Sequence, residues 1–187
     1  MNVVIFGPPG AGKGTQAQNI VKKFNLHQVS TGDLLRTEIK NKSQIGKEIE
    51  EIISKGDFAT DDVVNKLIKN IVFDPQKKDK LIFDGYPRSL SQAKNLDSLL
   101  DSSNQKIDFI FFLNVNTETL IKRIEKRKIL EKRSDDDLNT ILKRYDAYLE
   151  TTKPVLDFYS KNPNFYEIDG SEKIEVISSK IEQIITL

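Results

Sequence analysis

The chain alternates short runs of consecutive apolar residues with longer stretches whose apolar positions recur every three or four residues. Val3-Val4-Ile5-Phe6, Leu81-Ile82-Phe83, Phe109-Ile110-Phe111-Phe112-Leu113 and Phe165-Tyr166-Glu167-Ile168 read as strands, and a short one is expected near Gln28-Val29. Ala17, Ile20, Val21 and Phe24 fall at helical spacing, as do Val63, Val64, Leu67, Ile68 and Ile71. Leu120, Ile121 and Ile124 mark another helix. Leu138, Ile141, Leu142, Tyr145 and Leu149 mark a further one, expected to end near Pro154. Ile174, Ile177, Ile181 and Ile184 mark the last. Five strands alternating with helices predict an α/β fold on a parallel sheet.

Two stretches interrupt the alternation. Residues 30–59 should be mostly helical, running from Ser30-Thr31-Gly32-Asp33 to Lys55-Gly56-Asp57. Residues 128–137 are polar and charged. Each reads either as a small lobe standing off the core or as a surface excursion. The 187 residues suit one compact domain, and a 37% hydrophobic fraction is enough for a core.

Charge changes the picture mainly by exclusion. There are 29 basic and 28 acidic side chains, so a globally basic nucleic-acid binder is not indicated and any anion site must be a local cluster. The absence of cysteine rules out disulfides and thiolate metal sites, including cysteine-bound zinc. The N-terminal segment has no basic region and too short an apolar run for a signal peptide or membrane span, so a cytoplasmic protein with no membrane partner is expected. His27, the single histidine, reads as a strand-end or surface residue.

The arginines carry more. There are six, Arg36, Arg88, Arg123, Arg127, Arg133 and Arg144, against 23 lysines. A chain that uses lysine for ordinary surface charge signals, with each arginine, a need for a planar, permanently charged fork.

Gly7-Pro8-Pro9-Gly10-Ala11-Gly12-Lys13-Gly14-Thr15 follows the first strand and opens the first helix, the context of a phosphate-binding loop. Glycines let the backbone turn its N–H groups inward, the helix N-terminus adds positive potential, and Lys13 supplies a mobile charge for the β- and γ-phosphates. The residue after the lysine is Gly14 rather than the usual Ser or Thr, and the hydroxyl sits on Thr15. A direct protein ligand to magnesium is therefore not expected. Asp84, ending the third strand, is the candidate to hold the ion's waters.

The phosphate loop with Gln16, Ser30-Thr-Gly-Asp-Leu-Leu-Arg36, Asp84-Gly-Tyr-Pro-Arg88 with Gln92, and the later set Arg123, Arg127, Arg133-Ser-Asp-Asp136 and Arg144 together resemble the adenylate kinases, in order and spacing, over essentially the whole chain. The resemblance implies a P-loop kinase fold: a five-stranded parallel sheet flanked by helices, with core 1–29, 60–127 and 138–187, an inserted helical NMP-binding lobe at 30–59 and a short lid at 128–137. It implies transfer of the terminal phosphoryl group of ATP to AMP with Mg2+, giving two ADP, without a covalent intermediate, by a protein expected to be a monomer.

The same resemblance distributes roles. ATP is expected at Gly10, Ala11, Gly12, Lys13, Gly14, Thr15, Arg123, Arg127 and Gly170. AMP is expected at Thr31, Arg36, Asp57, Phe58, Ala59, Gly85, Tyr86, Arg88, Gln92, Arg133 and Arg144, although Phe58 could equally pack the lobe. Lys13, Arg88, Arg127, Arg133 and Arg144 are implied as the catalytic set. Asp135 and Asp136 are expected to hold the lid arginines or to cap a helix start. Tyr86 replaces the family's usual Phe, and the lid run Lys128-Ile-Leu-Glu-Lys132 lacks the glycines of many short lids. The related UMP/CMP kinases usually carry Ala at the position of Thr31, and Asn nearer the Pro-Arg pair, where this chain has Ser89. AMP is therefore the expected acceptor over UMP or CMP. An ATP-dependent switch or binding module would leave Arg36, Arg88 and Gln92 without a task.

Overall fold

The computed structural model describes residues 1–54, 57, 59–131 and 138–187, with side chains in that set except at 128–131, 138, 139 and 141. Five strands, β1 (Val3–Phe6), β2 (His27–Ser30), β3 (Leu81–Asp84), β4 (Phe109–Asn114) and β5 (Phe165–Asp169), form one parallel sheet in the order β2-β3-β1-β4-β5. All five coincide with the runs read from the sequence. Side chains alternate across β1: Val3 and Ile5 pack toward α1 (Lys13–Phe24) and α9 (Ile174–Ile185), Val4 and Phe6 toward the opposite face. Both faces are covered, so a strand of four fully apolar residues is stable there.

The opposite face is covered by α4 (Asp61–Val72), α5 (Leu90–Ser102) and α8 (Lys153–Tyr159), while α6 (Thr117–Glu131) packs Leu120 on the α1 side. The chain leaves β1 toward β2 and β3, then crosses to β4 and β5. A crevice therefore opens at the carboxyl end of β1, as in other open parallel sheets.

Residues 31–54 form two helices, α2 (Thr31–Lys40) and α3 (Gln44–Ser54), in line with the helical reading of this stretch. They approach closely at Gly46, where a Cβ would lie 2.1 Å from the Glu38 carbonyl oxygen. Ser43 Oγ accepts from the Gly46 N–H at 2.9 Å and secures the start of α3.

Three expectations change. First, the helix marked by Leu120, Ile121 and Ile124 is longer than those positions imply, α6 running on through Glu131; residues 132–137 lie outside the described set. Second, no helix ends at Pro154. α7 (Leu138–Ala147) passes into a π-helical turn, Tyr148–Thr152, and Pro154 sits in the first turn of α8, where its missing N–H removes no internal bond. Third, Leu142 and Leu149 are exposed, because Tyr148 and Thr152 take the inward stripe.

Candidate functional site

The site grows from the loop between β1 and α1. Gly12 caps α1 with φ 92°, and Gly10 has φ 84° with its missing Cβ placed 2.7 Å from Ile124. Both backbones favour glycine, and at Gly10 there is also no room for a side chain. Lys13 folds back and donates from Nζ to the carbonyls of Gly7 at 2.8 Å and Pro8 at 3.1 Å. Burial pushes its amine down to about 8; Asp84 opposes that shift, and the charges of Arg88, Arg144 and Arg127 add to it. Four arginine and lysine positions far apart in sequence thus act on one another through space.

Two cavities meet here. The first is lined by residues of α2 (Thr31, Leu35, Arg36), by Asp57 and Ala59, and by Gly85, Arg88, Gln92 and Arg144. The second includes Gly7, Pro9, Lys13, Gly85, Arg88, Arg144 and two residues of the π-turn, Tyr148 and Thr152. Gly85, Arg88 and Arg144 line both.

Arg88 is held at several points. Its Nε donates to Gly85 O at 2.7 Å, its backbone N–H to Gln92 Oε1 at 2.7 Å, and its carbonyl accepts from Thr152 Oγ1 at 3.2 Å. These contacts fix where the guanidinium starts, and Arg88 lines both cavities. Arg36 pairs with Asp33 at 2.6 Å on α2. Thr31 donates its hydroxyl to Gly85 O at 2.8 Å. Arg123 reaches over the phosphate loop: Nη1 donates to Gly170 O at 2.7 Å and Ala11 O at 3.3 Å, and Nη2 to Glu172 O at 3.3 Å. Gly170 therefore joins the site through Arg123.

Asp84 Oδ2 accepts from Gln28 Nε2 at 3.1 Å and lies 3.5 Å from the position a Cβ would take at Gly14. Among the described residues no group of three or more His, Cys, Asp or Glu side chains could hold a metal. A lone carboxylate beside a phosphate loop fits a magnesium ion that keeps its waters and is bound chiefly by phosphate oxygens.

Most of the predicted site residues thus converge. Tyr86 lines neither cavity. Its ring is fully buried, and its hydroxyl donates to Asn65 Oδ1 at 2.8 Å and accepts from Asn95 Nδ2 at 3.0 Å, so the side chain belongs to the α4–α5 packing. Phe58, Arg133, Asp135 and Asp136 lie outside the described residues. The sequence reading missed Asp61, Tyr148 and Thr152. Asp61 binds both Ser89 Oγ, at 2.8 Å, and Gln92 Nε2, at 2.7 Å.

A family model described as adenylate kinase matches residues 5–164. The chain is 46% identical to an adenylate kinase of Pelagibacter ubique (strain HTCC1062), over 99% of each chain. It is 42% identical to one of Azobacteroides pseudotrichonymphae genomovar. CFP2, over 97% of this chain and 95% of that one. It is 40% identical to one of Mycoplasma capricolum subsp. capricolum (strain California kid / ATCC 27343 / NCTC 10154), over 90% and 91%.

Proposed function

We propose, from the premise that this chain belongs to the adenylate kinase family, that its two adjoining cavities hold the phosphate ends of the two nucleotides of one reaction. The chain is a phosphotransferase that moves the terminal phosphoryl group of ATP to AMP, reversibly, giving two ADP. The observation that carries the site reading is the shared wall: Arg88 and Arg144 line both cavities, within electrostatic reach of Lys13.

In this reading AMP lies in the cavity of Thr31, Arg36, Asp57, Ala59 and Gln92, with its phosphate toward Arg88. ATP lies over Gly10, Ala11, Gly12, Lys13, Gly14 and Thr15, with Arg123 toward its base and Arg127 toward its phosphates. Lys13 exchanges two backbone carbonyls for phosphate oxygens when ATP arrives. The AMP phosphate is already a nucleophile, so no catalytic base is required. The protein acts by in-line placement and by fixed positive charge where negative charge shifts during transfer. One arginine aimed at the transferring group contributes about 10³–10⁵ in rate, roughly 4–7 kcal/mol of barrier. Magnesium bound with ATP would supply positive charge against the phosphates, and Asp84 is the residue that would hold its water shell.

The lobe assignment, 30–59 for AMP and 128–137 for the lid, belongs to this proposal, with Phe58 in the lobe and Arg133 in the lid. So does the reading of the protein as a cytoplasmic monomer. Among the described residues no helix is long and apolar enough to cross a membrane.

The test is ADP formation from ATP and AMP with magnesium, beside UMP and CMP as acceptors. Lys13→Ala should abolish transfer, and Arg88→Lys should lower kcat at least tenfold while the protein stays folded, because an ammonium cannot reproduce the fork. Near-normal turnover in both variants would remove the site assignment.

A further inference from the structure

Gln92 carries a buried amide whose two ends are held by groups of opposite kind. Oε1 accepts from the backbone N–H of Arg88 and Nε2 donates to Asp61 Oδ1, each at 2.7 Å. A backbone N–H can only donate and a carboxylate can only accept. Turning the amide over would set donor against donor and acceptor against acceptor. The amide therefore has one permitted orientation.

Asp61 is itself anchored. It opens α4, and its second oxygen accepts from Ser89 Oγ at 2.8 Å. Ser89 caps α5 by accepting from the Gln92 N–H at 3.1 Å. One carboxylate thus ties the first turn of α4 to the first turn of α5 and to the amide between them.

An amide has two N–H groups, and its oxygen has two lone pairs. One of each is used inside the protein, and the remainder is what Gln92 has for the cavity it lines. Thr31, on the same cavity, donates its hydroxyl hydrogen to Gly85 O, which leaves an acceptor for a ligand. A 6-aminopurine carries N–H donors at position 6 and a bare acceptor at N1. A 6-oxopurine reverses both. An amide paired side by side with the first edge would have to turn over to pair with the second.

We propose that Asp61 is a positioning residue for acceptor specificity: by holding the Gln92 amide in one orientation, it makes the site take a 6-aminopurine monophosphate and refuse a 6-oxopurine one. This rests on the reading that Gln92 faces the acceptor base. The discrimination arises because the wrong purine leaves buried polar groups opposed, the situation that gives the largest selectivities.

The experiment compares kcat/KM for AMP and IMP, with ATP as donor, in the full chain and its variants. The unaltered protein should prefer AMP by about 10³-fold or more. Asp61→Ala should reduce that ratio at least tenfold, through KM for the monophosphates, with KM for ATP unchanged. Asp61→Asn should keep the ratio within about threefold, since its side-chain oxygen can still accept from Gln92 Nε2 and so hold the amide at both ends. If Asp61→Ala does not fold, Asp61→Ser, too short to reach the amide, takes its place. Equal losses on AMP and IMP, or an unchanged ratio, overturn the proposal. Gln92→Leu separates the two levels. If it shifts the ratio and the Asp61 variants do not, only the orientation lock fails; if it leaves the ratio untouched, the placement of the base fails as well.

Discussion

Lys143 Nζ lies 2.7 Å from the carboxylate of Asp57, joining α7 to the segment that follows α3. Asp57 lines the Arg36 cavity, and Lys143 precedes Arg144, which lines both cavities. The pair is about half exposed on each side, and such pairs contribute about 0–1 kcal/mol. Lys143→Gln should therefore raise KM for AMP by no more than about fivefold, with little change in kcat. Added potassium chloride should raise KM for AMP in the unaltered protein more than in the variant, because salt screens an exposed pair. Steady-state kinetics at low and high salt check this.

The amine of Lys13, held at about 8 by burial, sets a pH dependence. Its folded value lies below its ordinary value of 10.5, so between these the unfolded chain binds more protons and stability of the nucleotide-free protein rises with pH through that window. Phosphate binding has the opposite requirement, since it needs the ammonium. ATP affinity should fall as pH rises through about 8, and binding there should take up a proton. Calorimetry in buffers of different ionisation enthalpy reads that uptake, which Lys13→Arg should remove.

Gly46→Ala should loosen the α2–α3 pair. The added methyl meets backbone, at 2.1 Å from Glu38 O and 2.4 Å from Glu38 C, and backbone cannot swing aside. Overpacking of this kind costs about 1–3 kcal/mol. Thermal unfolding should show a Tm lower by several degrees for a domain of this size, and KM for AMP should rise because Arg36 is carried on α2.

Tyr86→Phe should lower Tm although it restores the family's usual residue. The hydroxyl is buried and links Asn65 on α4 to Asn95 on α5. Removing it takes a partner from each of two amides, at a cost of about 1–3 kcal/mol. Thermal melts of the two proteins under one buffer condition measure it.

The strands were legible because each is a compact apolar run, and the phosphate loop because glycines and Lys13 stand where a strand gives way to a helix. Strand order was not: periodicity says which residues are buried, not which strand lies beside which. Helix α5 is one that periodicity does not bring out, although Ser89 and Gln92 sit at the spacing of a capping pair, because both residues also fit an acceptor site. Asp61 is, in the sequence, one of two neighbouring acidic residues with no mark to set it apart, and only the fold brings Ser89 and Gln92 onto it. The π-turn has no sequence mark. Its effect is to swing Tyr148 and Thr152 inward while Leu142 and Leu149 face water.

Arg123 donates to three backbone carbonyls, those of Ala11, Gly170 and Glu172. Most of its hydrogen-bonding capacity is thereby committed to stitching two loops together. On the proposed placement of ATP it presents to the purine chiefly a flat, charged plane, and stacking senses the presence of a ring without distinguishing its substituents. The donor side of this enzyme should therefore tolerate guanine in place of adenine more readily than the acceptor side, where, on the proposed placement of AMP, the oriented Gln92 amide meets the edge of the base.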